Sequence, residues 1–528
     1  MIYRSPFPDV TIPEVPLAEF VLERAAERGD KPALIDGPSG RTLSYAQLAD
    51  SVERVAAALN ARGFKKGDTF AIYSPNVPEF VVMFHAVARL GGVVTTVNPL
   101  YTHHELTHQL KDAGAGWLVT VPTFLEPALT SAEAVGLREV FVFGQAEGAT
   151  PYAELLNSEA SAPEVDIEPK EDIVVLPYSS GTTGLPKGVM LTHYNLVANL
   201  KQIEGFQAQT DNPIDENSVV MGLLPFYHIY GMTVIMNYAL YRGATVVTMP
   251  KFELPTFLGL IQQYRVTYAN VVPPIVLALA KHPLVDEYDL SSLTGMMSGA
   301  APLGGDTAGT AAKRLNCEVT QGYGMTELSP VSHTNPDPDD TIDRAKVGPG
   351  LPNTECRIVS VETGEDVASG ETGELLVRGP QVMKGYLNNP AATAATVDNE
   401  GWLHTGDIAE VDENGYFAVV DRVKELIKYK GYQVAPAELE EVLLLHAGVS
   451  DAAVIGVPDE EAGEVPKAFV VAKDGVTEDD IRAFVAERVA PYKKLRALEF
   501  VEAIPKSSSG KILRRVLVDR EREGRAES

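Results

Sequence analysis

The sequence is poor in cysteine and in positive charge. Its 528 residues include two cysteines, Cys317 and Cys356, and 44 basic against 72 acidic residues, which gives a formal net charge of -28. Two cysteines cannot build a disulfide framework, so we expect a reducing compartment, the cytoplasm. A chain this acidic repels nucleic-acid phosphates and anionic membrane surfaces. We therefore expect no nucleic-acid partner.

Long hydrophobic runs are also missing. The most apolar stretches, 80–97 and 271–280, are interrupted by charged residues or by prolines before they reach the length of a membrane span. The first residues lack the apolar core of a signal peptide, and the last residues do not form a peroxisomal signal. The sequence therefore predicts a soluble, cytoplasmic protein without a membrane span.

What the sequence does contain is a regular alternation of helical and strand patterns. In 45–62, Leu48, Val52, Val55 and Leu59 recur at helical spacing. Short apolar segments typical of strands alternate with such helices at 69–73, 93–97, 117–121, 139–143, 245–249 and 268–272. Strands joined by helices form right-handed βαβ units, which predicts an α/β fold with mainly parallel sheets.

The pattern changes twice toward the C terminus. From about Gly348, short strands predicted at 355–359, 373–378 and 416–420 are separated by glycine-rich turns, which indicates a small β-rich subdomain. After Asp421, the order helix, strand, strand, helix predicts a small α+β domain of its own, with helices at 436–445 and 478–489. We therefore divide the chain into a large N-terminal domain, residues 1–420, and a small C-terminal domain, residues 421–528.

The segment 178–188, YSSGTTGLPKG, follows the apolar strand predicted at 173–176. Its glycines allow backbone N–H groups to point at an anion, its hydroxyls add donors, and Lys187 supplies a positive charge. The candidate anion ligands are Ser179, Ser180, Gly181, Thr182, Thr183 and Gly184. The spacing is not that of a Walker A loop. A polar surface turn is the alternative, since such clusters are usually turns.

A second glycine-containing segment spans 321–327, QGYGMTE. Its glycines allow the backbone to approach a flat ligand, and Tyr323 can stack on a base. Thr326 can contact a phosphate, and the carboxylate of Glu327 suits Mg²⁺. The alternative is a turn at a strand end that carries an exposed glutamate.

Basic residues cluster twice in the C-terminal part of this acidic chain. The first cluster contains Arg422, Lys424, Lys428 and Lys430, and the second contains Lys506, Lys511, Arg514 and Arg515. Charge runs are usually solvated faces. In a chain with this net charge, however, we expect both clusters to face anionic ligands.

The glycine-rich segment at 178–188 resembles the phosphate loop of adenylate-forming enzymes, which include acyl- and aryl-CoA synthetases, luciferases and carrier-loading adenylation domains. Further signatures of these enzymes follow in order: PFYHIYG from Pro225, SGAAPLG from Ser298, QGYGMTE from Gln321, GWLHTGD from Gly401, DRVKELIKYKG from Asp421 and PKSSSGK from Pro505. Together they are most similar to 4-coumarate:CoA ligases. The segment GELLVRG from Gly373 departs from the GEICIRG of plant members.

The resemblance implies a two-step ligase that uses ATP, Mg²⁺ and coenzyme A. A carboxylate attacks the α-phosphorus of ATP to form acyl-AMP, and the thiol of CoA then displaces AMP. By this resemblance Lys511, His228 and Lys187 are catalytic, and Glu327 holds Mg²⁺. The resemblance also implies that the C-terminal domain is mobile, with its hinge at Asp421, because Lys511 must leave before CoA arrives.

The resemblance assigns the remaining site residues as three sets. Besides the phosphate loop, the nucleotide set contains Gln321, Gly322, Tyr323, Thr326, Asp407, Arg422, Lys424, Lys428 and Gln433. The acyl pocket contains Tyr230, Thr233, Val234, Gly299, Ala300, Gly322, Gly324, Pro330, Val331 and Ser332. The CoA set contains Lys251, Lys430 and Gly431. We expect the small residues at 299, 300, 322 and 324 to leave space for an aromatic ring or a medium chain.

The sequence leaves several alternatives open. The acid is a hydroxycinnamate or other aryl acid, or a medium-chain fatty acid. A luciferase-like oxygenase and a non-catalytic nucleotide-binding protein are the alternative functions, the second opposed by the presence of both Lys187 and Lys511. His228, among aromatic residues, is either a packed core residue or a group near the substrate carboxylate. The oligomeric state is open.

Overall fold

The computed structural model describes residues 1–179, 186–336, 343–423, 425–430, 432–459, 462–507 and 510–526. Within these ranges the strands form four sheets, two of them large and mainly parallel, one small and antiparallel, and one in the C-terminal part. The predicted α/β class, with a β-rich subdomain and a small α+β C-terminal part, is confirmed.

The first large sheet is parallel except at its edges. In the part of the chain described it has eight strands, in the order Val331–Thr334, Glu318–Gly324, Gly295–Ser298, Tyr268–Val271, Val219–Gly222, Thr245–Thr248, Pro32–Asp36 and Thr42–Ser44. The first and last strands pair antiparallel with their neighbours, and the inner ones run parallel. Because helices cover both faces of a parallel sheet, its strands are almost continuously apolar.

The second large sheet carries the predicted phosphate loop at one end. Its path runs Tyr178–Ser179, Lys187–Thr192, Ile173–Val175, Val93–Val97, Thr69–Tyr73, Ala115–Thr120, Glu139–Val142 and Thr150–Pro151, and Gly385–Tyr386 pairs with Lys187–Thr192. Strands Tyr178–Ser179 and Lys187–Thr192 are antiparallel neighbours, so they hold the two ends of the phosphate loop together. The residues between them, 180–185, lie outside the described part.

Helices pack on both large sheets. They span Leu17–Leu22, Ala25–Arg28, Tyr45–Ala61, Pro78–Arg89, His103–Asp112, Leu125–Val135, Ala153–Leu156, His193–Gln207, Tyr238–Arg242, Leu254–Tyr264, Pro273–Lys281, Gly305–Leu315 and Pro390–Thr396, and a π-helical stretch spans Gly231–Asn237. Several begin at capping residues. Ser44, for example, accepts the N–H of Gln47 at 3.2 Å, while the side chain of Gln47 accepts the N–H of Ser44 at 2.9 Å.

The β-rich subdomain is an antiparallel sheet whose described apolar residues belong to two small buried clusters. Its strands are Tyr3–Arg4, Glu355–Val359, Gly373–Arg378, Leu403–Val411 and Phe417–Arg422. The last strand was predicted to end before Asp421, but it continues to Arg422. The reason is backbone pairing, since Asp421 and Arg422 lie opposite Ile408 and Asp407 on the neighbouring strand.

The C-terminal part builds its own core. Its strands are Ile427–Tyr429, Tyr432–Val434, Val449–Asp459, Gly463–Ala472 and Ala497–Phe500, and its helices are Pro436–Leu445, Glu478–Ala486 and Arg514–Ala526. Among the described residues, its apolar clusters contain no residue of the large region. In all the described ranges of the chain, no helix is long and apolar enough to cross a membrane.

Candidate functional site

The candidate site lies at the carboxyl ends of the parallel strands in the first large sheet. Strands Tyr268–Val271, Gly295–Ser298 and Glu318–Gly324 are parallel neighbours, so the segments that follow them meet at one edge. Ligands of parallel α/β sheets bind at this edge. The SGAAPLG and QGYGMTE segments therefore lie side by side. Their order in the sequence alone does not show this.

The predicted acyl residues converge only in part. Val234 and Val331 line one narrow cleft together with Tyr268, Asn270 and Met297, three residues that the sequence did not single out. Nothing in the motifs marks these three. Their signal is positional, since each lies in one of two neighbouring strands of the first large sheet, Tyr268–Val271 and Gly295–Ser298.

The small residues of the acyl set do not all open space, which corrects the expectation from sequence. A Cβ atom on Gly299 would lie 2.9 Å from the ring of Tyr230, and one on Gly324 would lie 2.1 Å from the carbonyl oxygen of Pro330. These glycines allow close packing instead. Gly322 is less crowded, with its nearest neighbour at 3.3 Å. Ala300 is exposed and has a φ of 69°.

Three other predicted acyl residues, Tyr230, Thr233 and Ser332, are not among the residues that line this cleft. The Tyr230 hydroxyl donates to the carbonyl of Met297 at 3.1 Å, and burial holds its pKa well above the usual range. Thr233 is buried on the π-helical stretch, and its hydroxyl has no hydrogen-bond partner among the described residues. Ser332 turns its hydroxyl to His333 Nδ1, 2.9 Å away, so that side chain faces another residue and not the cleft.

The nucleotide residues Tyr323 and Asp407 meet across two sheets. The hydroxyl of Tyr323 donates to Asp407 Oδ2 at 2.6 Å, and Arg422 Nε lies 3.5 Å from Asp407 Oδ1. Burial raises the pKa of the Asp407 carboxyl, and the Arg422 guanidinium opposes that rise. A nearly buried carboxylate with one tyrosine and one arginine can accept further donors from a ligand's hydroxyls.

Gln321 is placed beside this pair but uses its side chain elsewhere. Its Oε1 accepts the N–H of Leu303 at 2.9 Å, and its Nε2 donates to the carbonyls of Leu303 and Arg344 at 2.7 and 2.6 Å. The side chain is buried and ties two loops together. Its backbone carbonyl accepts the N–H of Asn335 at 2.8 Å, so this oxygen is also engaged within the protein.

Glu327 forms the other end of the same segment. Its Oε1 accepts the hydroxyl of Ser179 at 3.1 Å and that of Tyr386 at 2.8 Å, and Lys187 Nζ lies 4.3 Å from the centre of the Tyr386 ring. Tyr386 was not predicted, because it lies far along the chain from the two residues it contacts, Glu327 and Lys187. The flanks of the phosphate loop and the QGYGMTE segment therefore converge on one buried carboxylate.

This carboxylate fits the predicted Mg²⁺ site. Mg²⁺ is usually held by one or two carboxylates together with substrate phosphates and water, and not by a cage of protein ligands. Glu327 supplies one such carboxylate beside the phosphate-loop strands. Within the described ranges there is no group of three or more His, Cys, Asp or Glu residues that could hold a metal by itself.

The side chain of His228 is oriented by a hydrogen bond from the backbone two residues along the chain. Its Nδ1 accepts the backbone N–H of Tyr230 at 3.3 Å. Burial lowers the pKa of His228 to about 4, so the ring is neutral at pH 7. A neutral ring that accepts at Nδ1 carries its proton on Nε2 and can donate from there.

Lys511 is brought to the large region by its own loop. The backbone N–H of Lys511 donates to Ser507 Oγ at 3.1 Å. A Cβ atom on the preceding residue, Gly510, would lie 3.0 Å from Val272. Because Val272 directly follows strand Tyr268–Val271, the loop rests on the carboxyl edge that carries the other site residues.

Not every predicted residue is brought to this edge. Lys251 is exposed and lies 3.5 Å from Glu253. Lys428 and Lys430 are exposed. The remaining predictions lie outside the described residues or their described side chains: Ser180, Gly181, Thr182, Thr183, Gly184, Lys424, Gly431 and the side chain of Gln433.

The expectation that both basic clusters face anionic ligands is wrong for two of their members. Lys506 Nζ lies 2.7 Å from Asp451 Oδ2. Arg514 is nearly buried and pairs with Glu425 at 2.5 Å and with Glu440 at 2.7 Å. Carboxylates of the C-terminal part neutralise both cations, which a count of basic residues along the chain does not reveal.

Comparison with known proteins identifies the family. The family model described as AMP-binding enzyme matches residues 21–387, and the model described as AMP-binding enzyme C-terminal domain matches residues 438–511. The chain belongs to the AMP-binding enzyme family. It is 45% identical to 4-coumarate–CoA ligase 1 of Solanum tuberosum and to 4-coumarate–CoA ligase 5 of Oryza sativa subsp. japonica, each over 98% of this chain and 96% of the relative.

Solved structures of the same family superpose on nearly the whole chain. The anthranilate CoA ligase AuaEII in complex with anthranoyl-AMP has a TM-score of 0.90 at 26% identity and covers 98% of this chain and 99% of its own. ATP-bound MatB from Rhodopseudomonas palustris has a TM-score of 0.85 at 30% identity, with coverages of 95% and 98%. These ATP-bound and adenylate-bound neighbours support the use of ATP.

These comparisons confirm the predicted family, adenylate-forming acyl-CoA synthetases near the 4-coumarate:CoA ligases. The predicted enzyme class, an ATP-dependent acid–thiol ligase, is confirmed with it. The alternatives of a luciferase-like oxygenase and of a non-catalytic nucleotide-binding protein gain no support.

Proposed function

We propose that the protein joins a small carboxylic acid to coenzyme A at the expense of ATP, through an enzyme-bound acyl-AMP. One observation supports the proposal: the segment 321–327 makes a hydrogen bond at each end. Tyr323 donates to Asp407, which we assign to the ribose, and Glu327 accepts from Ser179, which flanks the phosphate loop. The cleft lined by Val234 and Val331 lies beside the same strand end. The proposed acyl, ribose and phosphate sites therefore all adjoin the end of strand Glu318–Gly324.

The nucleotide is held from both ends in this proposal. Asp407 accepts hydrogen bonds from the ribose hydroxyls, and Arg422 donates to them. The ring of Tyr323 and the backbone of Gln321 and Gly322 lie against the base, and Thr326 faces the α-phosphate. The phosphate loop cradles the β- and γ-phosphates with its amides and hydroxyls, and Lys187 adds charge. Lys424, Lys428 and Gln433 close the nucleotide site from the C-terminal domain.

Glu327 is the proposed ligand for Mg²⁺. When bound, the ion would neutralise phosphate charge and favour departure of pyrophosphate. The Glu327 carboxylate is held ready for this by the hydroxyls of Ser179 and Tyr386, 3.1 and 2.8 Å away. Those two bonds fix one oxygen, so the second oxygen is available to the cation.

In the first step, a carboxylate oxygen of the acid attacks the α-phosphorus. The new P–O bond forms as the bond to the bridging oxygen breaks, and pyrophosphate leaves. Lys511, on the loop that rests against Val272, offsets the charge that the attacking carboxylate and the α-phosphate share. His228, neutral and able to donate from Nε2, orients the carboxylate.

In the second step, the thiolate of CoA attacks the acyl carbon and AMP leaves as the C–O bond breaks. Acyl-AMP reacts readily because AMP is a leaving group of low basicity. Lys251, Lys430 and Gly431 are the proposed contacts of CoA. Because Lys511 occupies the acid's side of the phosphate in the first step, the C-terminal domain, residues 421–528, turns about Asp421 before CoA enters.

The proposed substrates are hydroxycinnamates and other aryl acids, or medium-chain fatty acids, and the proposed location is the cytoplasm. Both cysteines are free thiols, which suits a reducing compartment. The relatives named above as 4-coumarate–CoA ligases support the first class of acid.

The experiment is pyrophosphate release with ATP, Mg²⁺ and CoA over a panel of benzoic, cinnamic and straight-chain C2 to C16 acids. We expect the highest kcat/KM with cinnamate-type or C6 to C10 acids. Acetate as the best substrate contradicts the substrate proposal, and no release with any acid contradicts the ligase proposal.

A further inference from the structure

Arg514 makes three bonds that none of the assigned roles explains. It begins the helix Arg514–Ala526 directly after the loop of Lys511. Its Nη1 donates to Glu425 Oε2 at 2.5 Å, its Nη2 donates to Glu440 Oε2 at 2.7 Å, and its Nε donates to the carbonyl of Val454 at 3.2 Å. All three nitrogens of the guanidinium therefore donate a hydrogen bond.

Two of these partners lie next to the predicted hinge. Glu425 follows Asp421 by four residues along the chain. Glu440 lies in helix Pro436–Leu445, and Asp421 Oδ2 accepts the N–H of Ala437 in the first turn of that helix at 3.0 Å. The guanidinium of Arg514, just after the loop of Lys511, therefore contacts residues close to the predicted hinge between the two parts of the chain.

The same line of charges reaches the nucleotide end of the site. Arg422 lies 3.9 Å from Glu425 and 3.5 Å from Asp407, its cross-strand neighbour. Asp407, Arg422, Glu425 and Arg514 therefore alternate in sign from the ribose-type pocket to the loop of Lys511. These contacts connect the two ends of the site without a gap of more than 3.9 Å.

A purely stabilising role does not account for this cluster. Asp421, Glu425 and Glu440 place three mostly buried carboxylates around one cation, and apolar residues often stabilise a core as well as buried ion pairs do. The helix also has its own anchor, since Leu517 packs with Ile455 and other apolar residues of the neighbouring strands. The fold of this part therefore does not depend on Arg514 alone.

We propose that Arg514 is a positioning residue for the first half-reaction, which holds the loop of Lys511 in register with the nucleotide site through Glu425 and Glu440. The proposal rests on the function proposed above, in which Lys511 serves acyl-AMP formation. Arg514 acts on the reaction only through Lys511. It is not needed once acyl-AMP exists.

The test uses Arg514→Met in the full chain, with Arg522→Met as the matched control. Arg522 lies on the same helix, is exposed and lies 4.0 Å from Asp519. Misplacement of a reacting group by about 1 Å costs roughly 10²-fold in rate. We expect acyl-AMP formation by Arg514→Met to fall by about that factor, with thioester formation from supplied acyl-AMP within about 3-fold of the wild type. Arg522→Met should match the wild type in both reactions.

A double-mutant cycle with Lys511→Ala separates positioning from folding. If Arg514 acts through Lys511, Arg514→Met causes no further loss of acyl-AMP formation in the Lys511→Ala background. The same loss in both backgrounds overturns the proposal, and so does an equal loss in both half-reactions.

If Arg514→Met does not fold, Glu425→Gln takes its place in the test, because it keeps Arg514 and the bond from Arg514 to Glu440. We expect a smaller loss confined to the first half-reaction, and melting curves identify the folded variants. An unchanged first half-reaction in folded Glu425→Gln and Arg514→Met overturns the proposal. Failure of the wild type to form acyl-AMP at all is a different result, because it contradicts the proposed function itself.

Discussion

The hydroxyl of Tyr323 donates a hydrogen bond of 2.6 Å to the carboxylate of Asp407. Tyr323 belongs to strand Glu318–Gly324 of the first large sheet, and Asp407 belongs to strand Leu403–Val411 of the antiparallel sheet. The bond therefore joins the β-rich subdomain to the parallel sheet at the proposed ribose end of the site. It fixes one oxygen of Asp407 and leaves the other facing Arg422.

Removal of this carboxylate should weaken nucleotide binding. Hydrogen bonds to charged groups contribute about 1.5–3 kcal/mol, so Asp407→Ala should raise the Kd for ATP roughly 10- to 100-fold. Isothermal titration with ATP and Mg²⁺ measures the change. Tyr323→Phe is the control that keeps the carboxylate but removes its partner, and we expect a smaller effect from it. Wild-type affinity in Asp407→Ala contradicts the ribose assignment.

The buried Glu440 makes stability depend on pH. Burial raises its pKa to about 7 from an ordinary value of 4.5, against the opposing charge of Arg514. Between these two values the folded protein holds a proton that the unfolded chain has released, so this contribution to stability is present at low pH and is lost as pH rises through about 7.

Glu440→Gln removes this titration. We expect the melting temperature of the wild type, relative to that of Glu440→Gln, to fall from pH 5.5 to pH 7.5 and to change little above that range. Thermal melts at half-unit steps in one buffer series measure it. A constant difference between the two proteins over the whole range shows that Glu440 does not titrate there.

The hinge proposal is tested by Asp421→Pro. Proline fixes φ near -65° and restricts the preceding residue, so it should trap one arrangement of the C-terminal domain. Because the loop of Lys511 already rests on Val272, we expect acyl-AMP formation to survive while thioester formation falls by orders of magnitude.

Asp421→Ala is the matched control for this variant. Asp421 also accepts the N–H of Ala437 at the start of a helix, and loss of such a cap costs about 1 kcal/mol of stability. The alanine variant loses the cap but not the freedom of φ. A folded Asp421→Pro protein that makes thioester as fast as Asp421→Ala shows that the pivot is elsewhere.

Much of the fold was predictable where apolar runs end at turn residues. Strands Thr69–Tyr73 and Gly373–Arg378 and helix Pro436–Leu445 have the predicted bounds. The strand Phe417–Arg422 was predicted to stop earlier, because its last residues are charged and their pairing partners lie on another strand. Local pattern reports local apolarity, whereas long-range backbone pairing decides where such a strand ends.

The candidate site was predictable where its motifs are contiguous. Tyr323 and Asp407 were both named from sequence, and the structure brings them together. Tyr386 and Asn270 were missed, because each reaches the site through the fold and belongs to no recognisable motif. Arg514 was wrongly expected to face an anionic ligand, because its actual partners Glu425 and Glu440 are distant in sequence.

The most direct test of the two-step account separates its half-reactions in Lys511→Ala. Acyl-AMP and pyrophosphate are measured with acid, ATP and Mg²⁺ in the absence of CoA, and thioester is measured with synthetic acyl-AMP and CoA in the absence of ATP. Loss of a preorganised donor at developing charge costs roughly 10²–10³ in rate, so acyl-AMP formation should fall by that factor. Thioester formation should stay near the wild-type rate. An equal fall in both reactions, or none in the first, contradicts the account.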